Sequence, residues 1–158
     1  MLKSAEAIVA ALTKKGETIS IAESVTGGGI SSALTDVPGT SHVFLGAVVA
    51  YSIDIKIKDL GVRHETLSEF GVVSEAVAFE MAEGIRARYQ STWAISTTGV
   101  AGPGPSHGIP AGTVWIAIIG PGWREALALS LAGDRDGVRR AAISSALATL
   151  ERILLSYS

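Results

Sequence analysis

The chain contains no cysteine and no asparagine in its 158 residues. Without thiols it has no disulfide, no thiolate metal site and no cysteine nucleophile, so covalent chemistry must run through oxygen or nitrogen. Charge is scarce too: Asp, Glu, Lys and Arg make up 18% of the chain and the net charge is −2, too little positive charge to hold nucleic acid electrostatically. No apolar run approaches the roughly 18 residues of a membrane span. The opening MLKSAEAIVAALTKKGE is amphipathic and is broken by charge too early for a secretory leader. A cytoplasmic location with no membrane or nucleic-acid partner is therefore expected. Hydrophobic residues at 47% exclude disorder and point to one globular domain, residues 1–158, long enough to bury roughly two thirds of its unfolded surface.

Periodicity then orders the chain. Ala7, Ile8, Ala11 and Leu12 recur at helical spacing within 4–15, with Ser4 as an N-cap and Gly16 as terminator. Thr18 to Ala22 alternates and is β-branched, a strand. Ile30 to Leu34 reads as a short helix stopped by Asp36-Val37-Pro38-Gly39. FLGAVVAY, Phe44 to Tyr51, is apolar almost throughout, as a strand covered on both faces would be. A helix follows over Ser52 to Leu60, one helical turn over Thr66 to Phe70, and a helix capped by Ser74 through Tyr89. Trp93 to Thr98 is a strand; Thr113 to Ile119 and Arg124 to Leu131 form a hairpin about Gly120-Pro121-Gly122; a long helix after Gly133-Asp134 ends the chain. Helices alternating with buried strands predict a three-layer α/β/α sandwich around a mixed sheet. Ligands of such sheets sit beyond the carboxyl ends of strands. Three loops qualify: the one carrying AESVTGGG, the Tyr51 segment, and the Gly/Pro-rich stretch from Gly99 to Pro110.

Ser24, in AESVTGGG, fits two roles. As an N-cap it starts the next helix; as a nucleophile it stands beside Thr26, Gly27 and Gly28, whose amides at a helix N-terminus suit an anion or oxyanion. No Gly-Lys-Ser/Thr follows the glycines and no G-x-S-x-G is present, which excludes a Walker loop and a nucleophile elbow. His42, His64 and His107 fall in or near loops, with no spacing that suggests a triad or a metal site. A lysine that burial keeps uncharged can serve instead as base for the serine. Lys56 is the candidate, five residues after Tyr51, which could relay a proton or orient it; the bland alternative puts Lys56 and Lys58 on an exposed helix face. In the Gly/Pro loop, Thr98 and the amides of Gly102 and Gly104 could wrap a phosphate or a ring, and Arg135 could bind a phosphate or carboxylate in two-pronged fashion.

AESVTGG, LTDVPGTS, the strand ending in VAYS with Lys56 beyond it, GVVSE, TTGVAGPG, AGTVWIA and GDRDGVRR occur in the order found in the CinA C-terminal domain family, which the chain resembles from about Leu12 to Leu154. That family includes stand-alone nicotinamide mononucleotide deamidases. The resemblance implies an α/β/α fold, usually a homodimer, and hydrolysis of nicotinamide mononucleotide to nicotinate mononucleotide and ammonia with neither cofactor nor metal. It implies Ser24, Tyr51 and Lys56 as catalytic residues, with Ser41 a rival for the nucleophile, and Ser41, Thr98 and Arg135 around the substrate. It also implies that the larger N-terminal domain of full-length relatives, with any pyrophosphatase activity, is missing. The chain departs from the family at Val25, where Cys is common, and at Ile53, where Asn is usual. Its PSHGIPAG loop is shorter and less charged than in many relatives. Ile53 favours a rival reading, a non-catalytic pyridine-nucleotide-binding or competence-related regulatory module.

Overall fold

The computed structural model describes residues 1–156. Six helices and five strands alternate: α1 (Leu2–Lys15), β1 (Ile19–Glu23), α2 (Gly29–Thr35), β2 (Phe44–Val49), α3 (Ile53–Leu60), α4 (His64–Phe70), α5 (Glu75–Tyr89), β3 (Trp93–Gly99), β4 (Thr113–Gly120), β5 (Trp123–Ser130) and α6 (Arg135–Ser156). The sheet order is β2-β1-β3-β4-β5. β1 runs parallel to both β2 and β3, and β4 and β5 are antiparallel additions.

The apolar residues sort to the two faces as a sheet with period two requires. On one face, Ile8 and Leu12 of α1, Ile30 of α2 and Val138, Leu147 and Leu150 of α6 pack against Ile19, Ile21, Ile95 and Ile116. On the other, Leu60 of α3 and Val77, Met81 and Ile85 of α5 cover Ala22, Ala94 and Ala117. The small alanines on this second face let α5 lie close to the sheet. Helices thus cover both faces of a mixed sheet, the three-layer arrangement expected of this alternation.

Two details refine the sequence reading. FLGAVVAY is not buried on both faces: β2 is a free edge of the sheet, and Leu45 and Val49 are about half exposed, at 49% and 48%. An apolar run records hydrophobicity but not whether a strand has a neighbour on each side, and β2 has only β1. At the other edge β4 and β5 close through Pro121-Gly122, with Gly120 paired to Trp123. Gly122 sits at φ 66° there, the left-handed backbone that a tight turn asks of glycine. Ser4 is not an N-cap, since α1 starts earlier, and its hydroxyl donates to Glu151 of α6 at 2.6 Å.

Because β1 is parallel to both its neighbours, the carboxyl ends of β1, β2 and β3 share one rim of the sheet. The residues following them meet there, and the first turn of α6 joins them.

Candidate active site

A cavity of about 410 Å³ opens at this rim, within the size range of small-ligand sites. Its floor is Ser24, just past β1; its walls include Tyr51 and Ile53 after β2, Thr98 and the loop from Gly99 to His107 after β3, and Arg135 at the start of α6.

Lys56 reaches the cavity from α3. Ser52 caps that helix, its hydroxyl accepting from the Ile55 amide at 3.2 Å. Lys56 and Leu60, four apart, form the buried stripe of α3, while Lys58 is exposed. Lys56 is therefore a core position carrying an amine, only 2% exposed. α3 is seated by Gly84 of α5: a Cβ there would lie 1.9 Å from the Leu60 carbonyl oxygen. No side chain fits between the two helices at that point.

The Lys56 Nζ lies 2.9 Å from Ser24 Oγ, 2.8 Å from the Ala50 carbonyl oxygen and 3.4 Å from that of Tyr51. Both carbonyls can only accept, so in the neutral amine two N–H bonds go to them and the lone pair is left for the Ser24 hydroxyl proton. Among the described residues no carboxylate bonds the amine, and burial pushes its pKa from 10.5 down to about 8. Ser24 is held by its own amide, which donates to Thr97 Oγ1 at 3.2 Å.

The remaining expected residues divide. Tyr51 lines the cavity, but its ring is exposed and its hydroxyl accepts from Arg135 at 2.9 Å; only its backbone oxygen approaches Lys56, so its phenol does not orient the amine. Arg135 also donates to the Gly102 carbonyl at 2.6 Å, joining the rim from α6 to the Gly/Pro loop. Gly102 and Gly104 line the cavity. Thr98 does as well, but its hydroxyl proton goes to the Val72 carbonyl at 2.9 Å, which leaves the oxygen able only to accept.

Thr26, Gly27, Gly28 and Ser41 are corrected. The N-terminal amides of α2 are taken: Ile30 and Ser31 both donate to the carboxylate of Glu23 at 3.0 Å. Thr26 is fully buried, with its hydroxyl donating to Glu23 at 2.6 Å, and the Gly27 amide turns back to the Ser24 carbonyl at 3.0 Å. The turn that reads as an anion cradle is filled by the chain's own anion, and none of the three residues lines the cavity. Ser41 precedes β2, at the opposite end of that strand from the rim, and is exposed. It cannot meet Lys56, which removes it as rival nucleophile.

Sequence reasoning overlooked three residues. Glu23 and Thr97 hold the Ser24 turn from inside. Arg139, which in the sequence is only half of a sparse basic pair, donates to the carbonyls of Val25 at 3.2 Å and Thr26 at 2.9 Å, tying α6 to that turn. The sequence shows an acidic residue directly before the serine but not that it is buried there. Of the histidines, His107 lies on the cavity rim, while His42 and His64 are exposed elsewhere. Among the described residues no three or more His, Asp or Glu side chains gather as metal ligands would, and no helix is long and apolar enough to cross a membrane.

Known proteins place this rim in a wider context. Two CinA-like proteins, from Gloeobacter violaceus and Fervidobacterium nodosum, are each 44% identical, over 97% and 89% of this chain. The chain spans only 37% and 35% of their respective lengths. Among solved structures, a competence damage-inducible protein A from Klebsiella pneumoniae superposes with a TM-score of 0.95 at 36% identity, covering 99% of this chain and 98% of its own. The competence/damage inducible protein CihA from Agrobacterium tumefaciens gives 0.90 at 36%, covering 94% and 92%. The family model for the CinA C-terminal domain matches residues 1–154, and the chain belongs to that family.

Proposed function

We infer that this domain is an amidohydrolase that converts nicotinamide mononucleotide to nicotinate mononucleotide and ammonia, with Ser24 as nucleophile and Lys56 as its base. The observation that carries the reading is the 2.9 Å contact between the Lys56 amine and the Ser24 hydroxyl, both buried at the mouth of the parallel strands. With a pKa near 8, about one tenth of the amine is neutral at pH 7, far more than for an exposed lysine. An alcohol beside such an amine is an activated nucleophile.

In this mechanism Ser24 Oγ attacks the carboxamide carbon as its proton passes to Lys56. The oxyanion is met by the amide of Val25, the residue after the nucleophile and part of the cavity lining. Lys56 returns the proton to the departing nitrogen, the C–N bond breaks, and ammonia leaves an ester on Ser24. Water then adds with Lys56 again as base, the ester C–O bond breaks, and the carboxylic acid product is released with Ser24 reprotonated.

The substrate assignment rests on family membership and is supported by the cavity's charge. The ionisable side chains lining it are Tyr51, Lys56, His107 and Arg135, with no carboxylate among them. Such a site suits an anion, and Arg135 is the rim group able to grip a phosphate in two places.

The test is ammonia release from nicotinamide mononucleotide by the purified protein. The wild type and Ser41→Ala should release it, and Ser24→Ala should not; an undiminished Ser24→Ala rate, or a silent wild type, overturns the reading. The same assay disposes of binding without hydrolysis, for which Ile53 speaks: it lines the cavity at the first position of α3, an aliphatic group at a place where an amide could have bonded substrate.

A further inference from the structure

We propose that Glu23 is a positioning residue for Ser24, acting through a directed chain of hydrogen bonds; the proposal rests on the reading of Ser24 as nucleophile. Glu23 is the last residue of β1 and is fully buried. Its partners are not a cation but four donors: Thr26 Oγ1 at 2.6 Å and the Ile30 amide at 3.0 Å on one oxygen, the Ser31 amide at 3.0 Å and Ser31 Oγ at 2.6 Å on the other. α2 has no other cap, since Gly28 stands at its N-cap position without a side chain. A carboxylate from inside the fold does the work that a Ser or Asp at the N-cap usually does.

The arrangement fixes more than the helix. Thr26 has one hydroxyl proton, and it goes to Glu23. Thr97 Oγ1 lies 2.8 Å from Thr26 Oγ1, so in that contact Thr97 must be the donor. Having given its proton away, Thr97 Oγ1 is free to accept the Ser24 amide at 3.2 Å. Every bond then points one way, from the Ser24 amide through Thr97 and Thr26 to Glu23, and the acceptor-only carboxylate sets the direction. The chain ties the backbone of Ser24 to β3 and to α2 together. It thereby holds Oγ at Lys56, which arrives independently on α3.

Glu23→Gln puts an amide NH2 where one of the two oxygens was. Whichever way the amide turns, that NH2 faces a backbone N–H, of Ile30 or of Ser31, that cannot rotate away. Thr97→Val removes the bonds to the Ser24 amide and to Thr26 Oγ1 but leaves all four donors on Glu23 in place, whereas Thr97→Ser keeps the hydroxyl.

The experiment follows Ser24 by two routes at a temperature where each variant is folded by circular dichroism: steady-state ammonia release from nicotinamide mononucleotide, and the rate of covalent labelling of Ser24 by a fluorophosphonate, read by intact mass. Glu23→Gln and Thr97→Val should each lower kcat and the labelling rate about tenfold or more, since small misplacements of a nucleophile are costly. KM should stay within about twofold because neither side chain lines the cavity. Thr97→Ser should restore both rates. If Glu23→Gln fails to fold, the Thr97 pair decides alone. A folded Thr97→Val protein that labels and turns over at the wild-type rate overturns the proposal. Wild-type protein that labels at Ser24 without releasing ammonia sinks the substrate assignment and leaves the proposal to be judged on labelling. Wild-type protein that does neither sinks both.

Discussion

A lysine in a helix stripe that should be apolar is expensive, and in the mechanism proposed above the cost at Lys56 has a use. The folded chain holds this ammonium at a pKa of about 8, against 10.5 when exposed. Below pH 8 both states are protonated and the folded one carries the burial penalty. Between pH 8 and 10.5 the unfolded chain binds the extra proton, so stability rises with pH across that window. The gain is on the order of 3 kcal/mol. Lys56→Met, which is close in size and cannot be charged, should lose that rise in pH-dependent denaturant melts while being no less stable than wild type at pH 7. Its ammonia release should fall by about 10³-fold, the scale of a lost general base. In the wild type, kcat/KM should climb with pH and level off above about 8; a flat profile from pH 6 to 9 would remove the amine from the chemistry. Lys56 was legible in the sequence only as a candidate. Its spacing from Leu60 marks the inward face, but two lysines alternating with isoleucines read equally well as a solvated face, and only packing against α5 separates Lys56 from Lys58.

The elements bring together groups that the sequence keeps apart, and the element order was largely legible for a physical reason: strands and helices here have the lengths and periods their side chains dictate. What escaped was pairing. Nothing within FLGAVVAY says that it lacks a second neighbour, and nothing within AESVTGGG says that the helix after it is capped from behind by Glu23 rather than by a ligand. Long-range partners such as Thr97 and Arg139 lie 73 and 114 residues from the positions they hold, beyond the reach of any local pattern. The α3–α5 contact is the most exacting of these placements. Gly84→Ala adds a methyl in a helix interior, which by propensity alone would stabilise α5 by about 1 kcal/mol. The methyl would lie 1.9 Å from the Leu60 carbonyl oxygen and 2.7 Å from its carbon, backbone atoms that cannot swing aside. We expect overpacking to win, with Tm lowered by about 5 °C and α3 pushed outward. Lys56 moves with it, so kcat should drop at least about tenfold while far-ultraviolet circular dichroism stays native. A variant more stable than wild type and fully active would mean that the two helices have slack at this crossing.

At the scale of the whole molecule, a chain of net charge −2 opens a cavity whose ionisable lining holds a lysine, an arginine and a histidine but no carboxylate. No acidic side chain is among the residues that line it, so the charged groups of the lining itself are cationic. Such a cleft concentrates field lines and draws anions in faster than diffusion alone. Arg135 is exposed at its mouth, its guanidinium bonded to the Tyr51 hydroxyl and the Gly102 carbonyl. Both are neutral acceptors that a phosphate can displace on entry. The capture of substrate should therefore depend on salt in a way that the chemical step does not. For nicotinamide mononucleotide, kcat/KM should fall several-fold as sodium chloride rises from about 0.01 M to about 0.5 M, a range over which the screening length shrinks from roughly 30 Å to a few ångströms. Nicotinamide riboside, which lacks the phosphate, should show little of this dependence. Arg135→Gln should raise KM for the nucleotide about tenfold, change kcat little, and flatten its salt slope toward that of the riboside. Equal salt slopes for the two substrates with wild-type protein would mean that the phosphate is not what this rim attracts.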